Sequence, residues 1–418
     1  MSRNENRHLV PLLRFPEFRD TGVWETEYGY EVFEQISNKN HNSDLPVLAI
    51  TQEHGAIPRS MIDYHVSVTD KSLESYKVVD VGDFIISLRS FQGGIEFSKY
   101  RGICSPAYVI LRLKSGHSKD YFRHYLKTER FISQMTKNLE GLRDGKMISY
   151  KQFSVLNLPI PSREEQQKIA DSLSSLDELI IEEVQKLKAL KTYKRALLQK
   201  LFPCENDTIP RLRFPEFLGE EEWEKVALGD IAEIKLGKML DSKKQSTGTL
   251  LPYLNNLSVR WNEIDTLNLP RMCFDDDELE RFGLRTGDVV VCEGGEPGRS
   301  AVWDGRLPNI KFQKAIHRVR FNVPFEPCLL VFYLESIAGT PRFEKLFTGG
   351  GIKHLTREAF TQLKIPVTSY DEQTRIASCL SSLENMITGH TQKISALKIQ
   401  QRGLAQKLFP DSLDEALA

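Results

Sequence analysis

The sequence predicts an α+β protein with an internal repeat: two globular α/β domains joined by two long helices that form an antiparallel coiled coil with pseudo-two-fold symmetry. Three observations predict this fold. Segments of about forty residues match without a gap at an offset of 207 positions (Ile169 to Ile376), with apolar residues at helical spacing. A shorter motif opens both copies, at an offset of 199 (Leu13 to Leu212). Between these matching ends the two copies share almost no sequence, so the ends of the unit are repeated while its middle differs.

Bulk composition fits a soluble globular protein. A chain of 418 residues is long enough for two to four domains, and a net charge of −1 argues neither for nor against a nucleic-acid partner. The six cysteines are widely spaced, without a CxxC pair or a histidine at zinc spacing, which indicates a reducing cytosol and no metal. The longest apolar run, 329–334, is far too short to cross a membrane, so we expect a cytoplasmic protein.

The opening motif marks the start of each domain. Leu-Arg-Phe-Pro-Glu-Phe at 13–18 is followed by Trp24, and the same six residues at 212–217 are followed by Trp223. We predict a first domain over 1–161 and a second over 204–368. Within the two domains, the copies share little beyond a Gly-Asp dipeptide, Gly82-Asp83 in the first and Gly287-Asp288 in the second.

The two repeated segments predict long helices at 162–203 and 369–410, followed by a short tail at 411–418. Ser162 and Ser369 precede acidic residues that suit a first helical turn, and Pro203 and Pro410 end each segment. About 38 residues at about 1.5 Å each give a rod of about 57 Å. The apolar seam along this rod skips one turn, at Lys194. The alternative to a coiled coil is that each helix packs only on its own domain. The predicted seam residues are Ile169, Leu173, Leu176, Ile180, Val184, Leu187 and Leu197 in the first helix, and Ile376, Leu380, Leu383, Ile387, Ile394 and Leu404 in the second.

These motifs resemble the specificity subunit of type I restriction-modification systems. The resemblance covers nearly the whole chain and includes the turns into the helices, at 159–166 and 365–373, and the helix ends Leu-Gln-Lys-Leu-Phe-Pro at 198–203 and Ala-Gln-Lys-Leu-Phe-Pro at 405–410. It also includes Arg-Phe-Pro-Glu-Phe at 14–18 and 213–217.

The resemblance implies a non-catalytic subunit with two target-recognition domains, each reading one half of a split target in double-stranded DNA. It implies two methyltransferase subunits, which would methylate flipped adenine at N6 using S-adenosylmethionine, and two restriction subunits that use ATP and Mg²⁺. No cofactor is expected on this chain itself. The coiled coil would then act as a ruler that sets an unread spacer between the half-sites.

Local basic segments are the candidate DNA contacts. In the second domain, Arg299 and Gln313 could read base edges, while Lys311 and Lys314 could hold phosphates. The alternative is a strand with Ile316, Val319 and Phe321 buried and Arg318 and Arg320 in solvent. In the first domain, glycines after the apolar segment 84–86 permit a tight loop, for which the alternative is a plain hairpin without a ligand. The first-domain candidates are Arg89, Gln92, Lys99 and Arg101, and two glycine-containing turns near the helix junctions add Arg143, Lys146, Lys353 and His354.

Catalytic motifs are weak in this sequence. Phe-Thr-Gly-Gly-Gly at 347–351 fits a methyltransferase loop by letters, but it follows a predicted helix rather than a strand, and no Asn-Pro-Pro-Tyr or Asp-Pro-Pro-Tyr tetrapeptide accompanies it. The acidic run 275–278 more often caps a helix than binds metal. Two other classes remain as alternatives: a coiled-coil assembly scaffold with two domains that bind ligands other than DNA, and an enzyme acting alone.

Overall fold

The computed structural model describes residues 9–41, 44–62, 73–137, 148–239, 248–351 and 353–410. The chain forms two compact units, each drawn from two parts of the sequence. Unit 1 consists of residues 1–183 and 393–418, and unit 2 consists of residues 184–392. Each unit therefore combines one α/β domain with part of both long helices.

Unit 1 is built on an antiparallel sheet of four strands in the order β2-β9-β6-β7. Unit 1 also contains three antiparallel strand pairs, β1-β10, β3-β4 and β5-β8. Its strands are β1 (Glu25–Tyr28), β2 (Phe33–Ile36), β3 (Leu48–Thr51), β4 (Gly55–Pro58), β5 (Lys77–Val79), β6 (Phe84–Ile86), β7 (Glu96–Phe97), β8 (Gly102–Cys104), β9 (Val109–Leu113) and β10 (Asn157–Ile160).

Unit 2 repeats this arrangement, with a four-stranded antiparallel sheet ordered β12-β20-β17-β18 and the pair β11-β23 matching β1-β10. A three-stranded sheet, β16-β13-β19, corresponds to the β3-β4 hairpin of unit 1, beside which Val47 forms a single parallel bridge with Ile103 of β8. The strands are β11 (Glu224–Ala227), β12 (Ala232–Leu236), β13 (Thr249–Leu254), β14 (Val259–Arg260), β15 (Glu263–Ile264), β16 (Arg271–Phe274), β17 (Val289–Cys292), β18 (Ser300–Val302), β19 (Lys311–Phe312), β20 (Ile316–Phe321), β21 (Phe347–Thr348), β22 (His354–Leu355) and β23 (Lys364–Val367).

Two helices of 39 residues, α6 and α12, dominate the helical content. Each ends two residues before the proline that predicted its end, because proline lacks the N–H that would continue the helix. The helices are α1 (Gly29–Val32), α2 (Ser90–Gly93), α3 (Lys119–Tyr125), α4 (Glu129–Lys137), α5 (Tyr150–Ser154), α6 (Arg163–Leu201), α7 (Leu228–Ile231), α8 (Asp276–Arg281), α9 (Pro327–Ile337), α10 (Pro341–Glu344), α11 (Arg357–Thr361) and α12 (Tyr370–Leu408).

The opening motif fastens each domain to the start of its helix. The Arg14 guanidinium donates to both carboxylate oxygens of Glu165 at 2.7 Å, and Arg213 donates to both of Glu372 at 2.8 Å. Both glutamates are buried, and the pKa of Arg213 is raised because it donates to Glu372. The repeated arginine is therefore structural: it neutralises a buried carboxylate in the first turn of α6 or α12.

The next residue of each helix, a glutamine, makes a second connection. The Gln166 side chain accepts from the Ser118 N–H at 2.8 Å and donates to the Pro161 carbonyl at 3.0 Å. Gln373 repeats this with the Glu326 N–H, at 3.0 Å, and the Thr368 carbonyl, at 2.8 Å. The caps differ, however: the Ser162 hydroxyl accepts from the Glu165 N–H, as predicted for a cap, whereas the Ser369 hydroxyl donates to Glu220.

The shared Gly-Asp dipeptide also has a structural cause. Gly82 and Gly287 adopt φ of 96° and 88°, which favours glycine. The following aspartates are buried, and each receives two hydrogen bonds from an arginine of the neighbouring strand: Asp83 from Arg112 and Asp288 from Arg320. Because these pairs anchor strands of the sheet, the dipeptide persists where the other residues differ.

The long helices pair in opposite directions within each unit. In unit 1, Asp177 of α6 accepts from Gln401 of α12 at 2.5 Å, and Glu183 accepts from Lys393 at 3.0 Å. The residue number rises along α6 while it falls along α12, so the pairing is antiparallel. In unit 2, Leu197, Leu198 and Leu201 share a core with Ile376, Leu380, Leu383 and Ile387, so the helices do not pack only on their own domains.

The predicted seam is largely buried, with two differences. Val184 is 44% exposed, and it does not contribute to the seam. Lys194, where the apolar pattern skips a turn, is 6% exposed; its Nζ lies 2.6 Å from carboxylate oxygens of Glu335 on α9 and Glu384 on α12. Of the other seam residues, Ile169, Leu173, Leu197, Ile376, Leu380, Leu383, Ile387 and Ile394 are buried, and Leu176, Ile180, Leu187 and Leu404 are half-buried. The predicted fold class, two α/β domains with paired antiparallel helices and an internal repeat, is confirmed.

Candidate nucleic-acid interface

In unit 1, two loops bring polar side chains together beyond the central sheet. The buried strand β6 ends at Ile86, and the short helix α2 follows with Arg89 at its start and Gln92 inside it; both side chains are exposed. Gln52, at the tip of the β3-β4 hairpin, donates to the Arg89 carbonyl at 3.4 Å. The predicted loop is therefore a helical turn that presents Arg89 and Gln92 beside Gln52.

A second arginine lies near this group. Burial raises the pKa of the Tyr108 hydroxyl, and the nearby positive charges of Arg59 and Arg89 oppose that rise. Sequence patterns did not single out Gln52 or Arg59. Gln52 had one signal, a polar stretch before Gly55 at a hairpin tip, but the position of Arg59 depends on how β4 packs. Arginine and glutamine are side chains that can make paired hydrogen bonds to base edges.

The other unit 1 candidates occupy different surroundings. Lys99 and Arg101 are exposed in the turn between β7 and β8, and Arg101 forms a solvent-exposed ion pair with Asp80 at 3.2 Å. Such a pair contributes little, so Arg101 remains able to exchange this partner for a phosphate. Arg143 and Lys146 lie outside the described residues.

In unit 2, the structure contradicts two predicted contacts. Lys311 is 5% exposed; its Nζ donates to the Leu279 carbonyl at 2.5 Å, and burial lowers its pKa. Arg299 donates to Glu296 at 2.8 Å and to the Asn256 carbonyl at 2.7 Å, so its guanidinium joins its own loop to a distant loop at Asn256 instead of facing a base. Both residues lie in a basic segment, but local charge did not reveal these partners.

The alternative proposed for strand β20 is also wrong in part. Arg318 is 1% exposed and donates to Glu233 at 2.6 Å, while burial lowers its pKa. Arg320 is bound to Asp288. Because β20 lies between β12 and β17, its residues from Ile316 to Val319 are all buried, and no solvated face of alternating charge forms there.

Two of the remaining unit 2 candidates lie near one carboxyl group. Burial raises the pKa of Glu293, and Lys314 and His354 lie close enough for their positive charges to oppose that rise. His354 is exposed, whereas Gln313 and Lys314 are half-buried in the turn between β19 and β20. Lys353 is exposed and forms an ion pair with Glu344. Unit 2 thus presents a different set of polar groups from unit 1.

The segments that imitate catalytic motifs have structural roles. Asp275 caps α8 together with Glu278, as the capping interpretation predicted. Phe347–Thr348 pairs with His354–Leu355 in a hairpin, not in the strand-to-helix turn of a methyltransferase loop. Within the described ranges, no three His, Cys, Asp or Glu side chains are grouped to hold a metal ion, and no helix is both long and apolar enough to span a membrane.

Comparison with known proteins agrees with this geometry. The family profile described as "Type I restriction modification DNA specificity domain" matches residues 22–192 and 220–398, one match for each repeat. The specificity subunit of the type I restriction enzyme MjaVIII of Methanocaldococcus jannaschii is 25% identical over 339 residues, covering 77% of this chain and 76% of its own length.

Two solved structures share the fold. The S subunit of a type I restriction-modification system from M. genitalium aligns with a TM-score of 0.58 and 15% identity, over 97% of this chain and 100% of its own. A chain from a structural study of complex assembly and conformational transition in the type I R-M system aligns with a TM-score of 0.54 and 17% identity, over 93% and 97%. The two family matches, one on each structural repeat, show that this chain belongs to the type I restriction modification DNA specificity domain family.

Proposed function

We propose that this chain is the non-catalytic DNA-recognition subunit of a type I restriction-modification complex, and that each unit reads one half of a bipartite target. The observation that carries the proposal is the repeat itself. The same sheet, the same Arg–Glu attachment and the same Asp–Arg anchor recur in both units, while the exposed groups beyond the sheet differ. A common frame with different exposed groups suits two domains that read different bases.

In unit 1, we propose that Arg89 reads guanine and that Gln52 and Gln92 read adenine. Arginine donates two hydrogen bonds to the O6 and N7 atoms of guanine, and glutamine matches the donor and acceptor of adenine in the major groove. Lys99 and Arg101 would hold phosphates beside them. In unit 2, Gln313, Lys314 and His354 take the corresponding role, and Lys353 can exchange Glu344 for a phosphate.

The same proposal gives the partners. Two methyltransferase subunits would supply adenine methylation with S-adenosylmethionine, and two restriction subunits would supply ATP- and Mg²⁺-dependent cleavage. Specificity then requires only that this chain hold the methyltransferases at a chosen sequence. No cofactor on this chain is needed.

Exchange of the first domain tests whether the units read separately. Replacing Met1–Pro161 with the corresponding domain of another family member should change one half of the target and leave the other half and the spacer unchanged. The measurement is selection of bound duplexes from a random pool by the complex with its methyltransferase. A chimera carrying the original first domain rejoined at Pro161 is the control.

The outcome of the exchange separates the candidate functions. A change confined to one half-site supports independent reading by the two units. Loss of both half-sites in a complex that still assembles would contradict it. If the original complex enriches no sequence and its binding to duplex DNA does not weaken with salt, the chain is instead a scaffold whose domains bind other ligands.

A further inference from the structure

Charge is divided unequally along both long helices. Between position 186 and the end of α6 there are six Lys or Arg residues and no Asp or Glu; between position 385 and the end of α12 there are four and none. The helix dipole favours positive charge only within the last turn. The basic residues several turns earlier therefore need another explanation.

The same pair of basic residues, a lysine followed four positions later by an arginine, recurs in both helices. Lys191 and Arg195 lie one turn apart on α6 in unit 2, and Lys398 and Arg402 occupy the equivalent positions on α12 in unit 1, each 207 residues later. We name each pair a basic stripe. All four side chains are exposed and form no ion pair within the described part of the chain, whereas Lys194 and Lys393 bind acids of the facing helix.

The surroundings of the stripes favour phosphate as the ligand. Gln199 and Gln406 are exposed one turn beyond Arg195 and Arg402, on the same helix faces. Arginine, lysine and glutamine side chains are typical phosphate contacts, whereas the centre of a protein interface is depleted of lysine and rich in large apolar groups. Ile399 is exposed beside Lys398, but one such side chain does not make an apolar centre.

We propose that each basic stripe binds backbone phosphates of the DNA held by its own unit, outside the base pairs that the unit reads. This inference rests on the proposed function, since it assumes that DNA is bound by both units. Residues four apart on a helix are about 6 Å apart along its axis, which corresponds to about two base pairs at 3.4 Å each. Each stripe would then hold DNA without reading it, which explains basic side chains on elements that carry no base-reading loop.

The test compares three double variants with equal loss of charge. Lys191→Gln/Arg195→Gln removes the α6 stripe, and Lys398→Gln/Arg402→Gln removes the α12 stripe. Lys200→Gln/Lys407→Gln removes two exposed lysines from the opposite sides of the same helices and is the control. The full chain is titrated with a random-sequence duplex of about 40 base pairs at several NaCl concentrations from about 0.1 M, where distant charges are screened.

Each stripe variant should reduce the slope of log affinity against log salt by about 1.8, because each phosphate contact contributes about 0.9. The control should keep the original slope, and all three should keep the original helical circular dichroism. Slopes equal to that of the unchanged chain would overturn the inference. A stripe variant that keeps the original slope but no longer retains the methyltransferase subunit in a pull-down would show that the stripe docks a protein instead. If the unchanged chain shows no salt-dependent binding, the proposed function itself fails.

Discussion

Replacing Glu372 with alanine is expected to lower the free energy of unfolding of unit 2 by about 3–5 kcal/mol. The Arg213 and Glu372 side chains are 5% and 1% exposed, and their two hydrogen bonds are 2.8 Å long. Removal of Glu372 leaves the Arg213 guanidinium without its counter-charge, and loss of one partner is the costly way to break a buried pair. The expected result in urea denaturation is a lower transition midpoint.

Two further variants separate this cause from general damage to the helix start. Asp371→Ala removes an exposed acid from the same turn, and we expect a change within about 0.5 kcal/mol. Arg213→Met/Glu372→Leu removes both charges and should recover much of the lost stability, because no unpaired charge remains. The explanation fails if the double variant is less stable than Glu372→Ala.

Replacing Lys194 with alanine is expected to cost about 3 kcal/mol. Its ammonium group binds Glu335 on α9 and Glu384 on α12, so three helices of unit 2 depend on one buried cation. Without it, the two carboxylates lose the positive charge that they share. Glu335 also accepts from Asn262 at 2.8 Å, so the β14-β15 turn should loosen as well.

The variant Lys194→Met keeps most of the apolar stem and isolates the charge. We expect it to be nearly as destabilising as Lys194→Ala, whereas Lys200→Ala, at an exposed position, should change stability by about 0.5 kcal/mol or less. Denaturation monitored by circular dichroism measures all three. Equal midpoints for Lys194→Ala and Lys200→Ala would show that the buried cation does not hold the helices together.

Sequence reasoning identified the long helices well because their signals are local. Apolar spacing, acidic first turns and following prolines lie within each segment, so the predicted helix at 162–203 differs little from the observed Arg163–Leu201. The sequence marks Lys194 only as an interruption of the apolar pattern, because its partners are 141 and 190 residues away in sequence. A charge that is neutralised across such distances gives no local sign of burial.

The candidate DNA contacts are limited in the same way, because partners that are distant in sequence decide which basic side chains are exposed. Arg89 and Gln92 were found because a buried strand followed by glycines predicts an exposed loop, and both side chains are exposed. Lys311 and Arg299 lie in an equally basic segment, but the carbonyl groups of Leu279 and Asn256 occupy them. Which base or phosphate each exposed candidate contacts stays a prediction.

The role of this chain in choosing the target is tested by a genome-wide map of methylated adenine in cells that express this chain with a methyltransferase subunit of the proposed complex. Cells with the methyltransferase but without this chain are the control. We expect a new split motif that appears only with the chain, methylated once in each half on opposite strands. If the chain forms a stable complex with the methyltransferase and no motif appears, this chain does not specify the target, and the proposed function is contradicted.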